Sequence, residues 1–151
     1  MYSESFIKAL TFTLRWEGGY VNDSYDKGGP TNKGITQRTY DNYCSSTHIP
    51  NRPVKDISNK EVKDIYYNNY WLKAGCNKES LKVAIALFDF AVNSGVHRAT
   101  RYLATSHNNL EAYLDRREAF YKAIAVGSNR RFLKGWLNRL QALRTYLEGV
   151  G

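Results

Sequence analysis

The chain predicts a mainly helical protein with one small β excursion near its front, and three observations carry that prediction. Residues 15 to 37 are polar and glycine-dense, with Gly18-Gly19, Gly28-Gly29-Pro30 and Gly34 interrupting any helix. Leu81, Ala84, Ile85, Leu87, Phe88, Ala91 and Val92 are apolar on most sides of a helix, which marks a central buried element. Elsewhere, apolar residues recur at the three- and four-residue spacing of amphipathic helices.

Taken in order, residues 4 to 17 place Phe6, Ile7, Leu10 and Leu14 at helical spacing. Residues 18 to 34 alternate Tyr20, Val21 and Tyr25 with Asn, Asp and Ser, which suits a short irregular β-hairpin. From Ile35 the pattern turns helical through Tyr40 and Tyr43, and a loop holding Pro50 and Pro53 ends it. Ser58-Asn-Lys-Glu61 is a capping box opening a helix with Val62, Ile65 and Tyr66 on one face, ending near Tyr70-Trp71. The central helix starts near Glu79 or Ser80, and Gly95 is placed to stop it. Residues 97 to 106 predict a short helix and 109 to 126 a longer one, closed by Gly127. The last helix begins near Asn129, with Phe132, Trp136, Leu140, Leu143 and Leu147 on one face; Trp136 is expected in the core. No repeat, low-complexity tract or linker divides the chain, and its 151 residues suit a single domain.

The net charge of +8 points to an anionic partner without naming it, since nucleic acid, anionic lipid and bacterial cell wall all fit. No basic run marks a nucleic-acid arm; Arg116-Arg117 and Arg130-Arg131 are only pairs. Arg130, Arg131, Arg139 and Arg144 are expected on a solvated basic face. No apolar run approaches the roughly 20 residues that span a bilayer, so no stable membrane insertion is expected. The N-terminus lacks a basic leader and a long apolar segment, so no signal peptide is expected. Cys44 and Cys76 match no zinc spacing and are expected as buried thiols, and the three histidines form no local ligand cluster. Neither a metal nor a cofactor is implied.

Two carboxylates stand out. Phe6 and Glu17 are eleven residues apart, about three turns, so Glu17 falls on the apolar side of its helix. A carboxyl in an apolar setting has a raised pKa, as a general acid requires. Asp26 lies in the polar loop, an unlike environment that would give it a separate role. The alternatives are that Glu17 pairs with an arginine, Arg15 or one brought near by folding, and that Asp26 only stabilises its loop. Asn93 lies in the buried helix, where a free amide is costly; it either hydrogen-bonds a ligand acetamido group or fixes the loop holding Gly28-Gly29. Asp89 is expected as an internal hydrogen-bond partner. Tyr20 and Tyr25 either line a cleft or pack.

Glu17-Gly18-Gly19-Tyr20, followed by Asp26-Lys-Gly28-Gly29-Pro-Thr31-Asn32-Lys-Gly34-Ile35-Thr36, resembles glycoside hydrolase family 108. The resemblance continues in Tyr70-Trp71, in Phe88-Asp89-Phe90-Ala91-Val92-Asn93-Ser94-Gly95 and in Phe132-Leu-Lys-Gly135-Trp136-Leu137-Asn138-Arg139. It implies an α+β lysozyme-like fold and an N-acetylmuramidase of the kind found in phages and bacteria, often labelled secretion activators. Residues 1–96 resemble the catalytic segment, and 97–151 resemble the predicted peptidoglycan-binding part. Glu17 is then the catalytic acid, and the spacing to Asp26, with Thr31 beyond it, resembles that of phage-type lysozymes. Tyr20, Tyr25, Asn32 and Asn93 are expected on the substrate side.

The implied reaction is cleavage of the β-1,4 bond between N-acetylmuramic acid and N-acetylglucosamine. Glu17 protonates the leaving oxygen, and Asp26 with Thr31 positions water. Glu17 acting alone would instead give a lytic transglycosylase, and a catalytically weak wall-binding or export-assisting protein is the alternative from another class. A helical nucleic-acid-binding protein rests only on charge and aromatics. The expected partner is peptidoglycan, the expected state a monomer, and the expected place of action the cell wall, after export or holin-type release.

Overall fold

The computed structural model describes residues 2–22 and 29–151. Helix α1 spans Glu4–Trp16, and Ser3 caps it by accepting the Phe6 N–H at 3.2 Å. It buries Phe6, Ala9, Leu10, Phe12 and Thr13. Glu17 follows in extended conformation as the cap residue, its N–H still bonded to the Thr13 carbonyl.

Among the described residues the β excursion runs later than the sequence pattern suggests, past residue 34. Strands β1 (Thr31–Asn32) and β2 (Ile35–Thr36) pair antiparallel, with Thr31 opposite Thr36 and Asn32 opposite Ile35. Lys33 and Gly34 make the turn between them, at φ 53° and 80°. Two positive φ values in a two-residue loop match the twist of a hairpin. Val21 joins as a bridge, exchanging two 2.8 Å backbone bonds with Thr31. Ile35 is therefore strand; helix α2 begins at Gln37 and runs to Ser46, capped by Thr36.

Helix α3 (Asn59–Tyr66) opens with the expected capping box, in which Ser58 accepts the Glu61 N–H and Glu61 accepts the Ser58 N–H. Glu61 also takes bonds from Tyr40 and Arg52, which ties α2 to α3. The chain then widens into a π-helical stretch, Tyr67–Leu72, that periodicity did not reveal. Helix α4 (Leu81–Ser94) is the buried centre, packed against α1, α5 (Val96–Thr105), α6 (Leu110–Ile124) and α7 (Leu133–Gly149). Gly95, at φ 98°, ends α4.

Two aromatic clusters grip α4. Phe88 meets Phe6, Tyr66 and Trp71, while Phe90 meets Tyr102, Tyr113, Phe120 and Tyr121. Full burial of a ring such as Phe88 or Phe90 contributes about 1.5–3 kcal/mol. One core joins residues from α1 through α7. Cys44 and Cys76 are buried and free. Among the described residues no helix is long and apolar enough to cross a membrane.

Three expectations for the last helix need correction. A 3₁₀ turn, Gly127–Phe132, precedes α7, so the helix proper starts at Leu133. Phe132 leaves the core face and is 44% exposed, and Trp136 is half-buried, stacked on Tyr121. Arg139 and Arg144 do not belong to a solvated face. Arg139 is buried, and Arg144 is partly buried against Glu111, Asp115 and Glu118.

Candidate active site

Four parts of the chain converge on Glu17. The end of α1 presents its carboxyl, with the side chain 20% exposed. The Gly34 turn lies against it: a Cβ added there would come within 2.9 Å of Glu17 Oε2 and 2.5 Å of the Tyr66 hydroxyl. Tyr66, from α3, donates to the Lys33 carbonyl at 2.6 Å and so pins the turn beside the carboxyl. The fourth part is α7, whose Arg139 Nη1 donates to Glu17 Oε1 at 3.2 Å. The apolar setting expected for Glu17 is thus interrupted by an ion pair, and the arginine is one brought near by folding.

Behind this pair lies a buried polar cluster. Asp89, fully buried on α4, accepts four bonds. Its Oδ1 takes Thr13 Oγ1 at 2.9 Å and Arg139 Nη2 at 2.8 Å; its Oδ2 takes Arg117 Nη2 at 2.8 Å and Arg139 Nε at 3.2 Å. Burial pushes the Asp89 carboxyl up, but the charges and hydrogen bonds of Arg117 and Arg139 outweigh it and hold the group below the usual carboxylate range. For Arg139, burial works against the charge, yet Asp89 first and then Glu17 raise its guanidinium above its ordinary value. Two cations thus face two carboxylates, the balance that buried charge requires.

The cluster continues to Asn93. Arg117 Nε donates to the Tyr121 hydroxyl at 2.8 Å, Tyr121 donates to Asn93 Oδ1, and Ser94 Oγ donates to the same oxygen at 2.6 Å. The Asn93 carbonyl oxygen is thereby tied into the network that holds Glu17. Tyr66 and Tyr70 complete the surroundings. Burial first, then the charge of Glu17, pushes both phenols up, so both stay protonated at neutral pH.

The other expected site residues are distributed unevenly. Thr31 is half-buried in β1, held between Val21 and Thr36. Asn32 is buried, and its amide nitrogen is committed to the Val54 and Lys55 carbonyls, both at 3.2 Å, so its amide group anchors the hairpin to the rest of the fold. Tyr20 is 44% exposed beside the hairpin and packs in no core. Tyr25 and Asp26 lie outside the described residues. Sequence reading gives Gly34, Tyr66, Tyr70 and Arg117 no place in the surroundings of Glu17, and it sets Arg139 on a solvated face. For the two arginines a signal existed: Arg139 is three residues after Trp136 and four before Leu143, and Arg117 is four from both Tyr113 and Tyr121, so each sits on an apolar stripe.

A groove of about 570 Å³ between α1 and α7, walled by Phe12, Trp16 and Tyr146, includes neither Glu17 nor any other carboxylate.

The family model described as Glycosyl hydrolase 108 matches residues 10–95. The chain belongs to glycosyl hydrolase family 108. Its fold is also that of the solved structure of Brucella abortus SagA, with 28% identity, 95% of this chain and 93% of that chain covered, and a TM-score of 0.75. This is the mainly α, lysozyme-like architecture with a small antiparallel sheet. No curated protein matches the chain. The matched family segment contains Glu17, Gly34, Tyr66 and Asp89, whereas Arg117 and Arg139 lie beyond it.

The close approach at Gly34 yields a test. In Gly34→Ala the new methyl must displace the Glu17 carboxyl or the Tyr66 hydroxyl, in a backbone conformation that alanine rarely adopts. A non-glycine residue in that left-handed backbone costs about 1–2 kcal/mol. Stability is expected to fall by at least that amount, and thermal melts of Gly34→Ala beside wild type would show it.

Proposed function

We propose that this protein is a peptidoglycan hydrolase, an N-acetylmuramidase in which Glu17 is the general acid. The observation that carries this reading is the placement of Glu17. In a glycosyl hydrolase chain, its carboxyl stands partly exposed at the end of α1, between the Gly34 turn and a buried, charge-balanced cluster. Protonated Glu17 transfers its proton to the glycosidic oxygen between N-acetylmuramic acid and N-acetylglucosamine. The bond from the anomeric carbon to that oxygen breaks, with its electron pair leaving on the oxygen. Water adds to the anomeric carbon and gives its proton to a base. Asp26 is the proposed base, with Thr31 helping to place the water and Tyr20, Tyr25 and Asn93 on the substrate side. The product is a free reducing end of inverted configuration. The protein acts as a monomer at the bacterial wall, reached by export or by holin-type release. Arg130 and Arg131, both exposed, attract anionic wall polymer in a salt-sensitive way.

Digestion of purified peptidoglycan, with products identified by mass spectrometry, tests the reading. Reducing N-acetylmuramic acid ends are expected. Reducing N-acetylglucosamine ends would overturn the choice of bond. Anhydro-muramyl ends would replace hydrolysis with an intramolecular transglycosylation by the same acid.

A further inference from the structure

We propose that Arg139 is a positioning residue for cleavage, fixing the Glu17 carboxyl by Oε1 so that Oε2 is the oxygen that carries the transferable proton. This rests on Glu17 being the general acid, and it moves part of the active site into the C-terminal segment.

The guanidinium is anchored before it reaches Glu17. Arg139 is 7% exposed, and two of its nitrogens are bonded to Asp89 at 2.8 and 3.2 Å. Asp89 is itself held by Arg117 and Thr13, so Nη1 projects toward Glu17 from a fixed base. A planar fork of this kind spans two carboxylates with defined geometry, which the single ammonium of lysine does not. The two Glu17 oxygens are consequently unlike. Oε1 accepts from Arg139, whereas Oε2 faces the Gly34 turn. The Tyr66 hydroxyl beside that turn spends its proton on the Lys33 carbonyl. Among the described residues Oε2 accepts no hydrogen bond, which suits the oxygen that must bind a proton and release it to a leaving group. Gly34, with no side chain, leaves room for Oε2 at the turn.

The consequence concerns the two halves of the chain. The resemblance assigns residues 97–151 to wall binding, and the family match stops at residue 95. Yet the group that orients the acid comes from residue 139, and the cation that steadies Asp89 comes from residue 117. The C-terminal segment completes the reacting centre.

The test compares wild type, Arg139→Met, Arg139→Lys and Glu17→Gln on purified peptidoglycan, with folding followed by circular dichroism and binding by sedimentation with sacculi. For Arg139→Met, kcat is expected to fall about 100-fold, the cost of a misplaced reacting group, with KM and sedimentation unchanged. Arg139→Lys keeps a cation for Asp89, so it should fold and show an intermediate kcat at unchanged KM. If Arg139→Met does not fold, Arg139→Lys decides alone. A kcat equal to wild type in every folded variant, or a loss confined to KM, would overturn the proposal. A fully active Glu17→Gln protein would instead remove the reading beneath it, so the two failures are distinguishable.

Discussion

Replacing Asp89 with alanine is expected to remove about 3–5 kcal/mol of unfolding free energy, the penalty for breaking a buried ion pair from one side. The reason lies in what the substitution strands. Arg117 is 1% exposed, and its Nη1 already lacks a hydrogen-bond partner among the described residues. Without Asp89 its Nη2 loses the 2.8 Å contact as well, leaving a buried guanidinium bonded only through Nε to Tyr121. Arg139 loses two of its three contacts. A loss of that size is a large part of the stability of a typical domain, so urea unfolding should show a much lower midpoint. The pH dependence follows from the same group. Asp89 ionises at lower pH when folded than when unfolded, so its stabilisation is complete above the unfolded carboxyl's range, about pH 3.9. It is lost as pH falls toward the folded value. Asp89→Asn should therefore flatten the acid limb of the stability profile relative to wild type.

The second large effect is on chemistry. Glu17→Gln keeps the shape of the side chain and an oxygen that can accept from Arg139, but it has no proton to give. Loss of a general acid costs about 10²–10⁴-fold in rate, and cleavage of purified peptidoglycan should fall by that order, with thermal stability and sacculus binding close to wild type. Reducing-end release measures the first, and sedimentation measures the second. Retained cleavage would show that the proton comes from elsewhere.

Much of this fold is legible without coordinates, because local rules act where the residues stand. The Ser58-Glu61 capping box, the all-round apolar α4 and its Gly95 stop each depend on a few neighbours in sequence. The hairpin was only half legible. Glycines marked the excursion, but its strands lie at Thr31–Asn32 and Ile35–Thr36, where pairing partners rather than alternation decide. The site divides in the same way. Glu17 could be singled out because a carboxylate on an apolar stripe is conspicuous. Sequence alone puts Arg139 on a solvated face because basic residues usually are, although its position between Trp136 and Leu143 gives it the same conspicuous address. Which acid it would meet could not be read from spacing, since Asp89 lies on α4 and Glu17 just past the end of α1. Asn32 shows the reverse case: a motif residue whose amide serves the scaffold, bonded to Val54 and Lys55.

The contact between Arg139 and Glu17 spans 122 positions of chain. During synthesis, therefore, Glu17 stands without this partner until α7 has left the ribosome. Contacts of such sequence separation tend to form late, after the loop between them has been closed. A chain broken off before α7 would carry every residue of the matched family segment and still lack the guanidinium that meets Glu17. The ion pair at Glu17 is acquired only with α7.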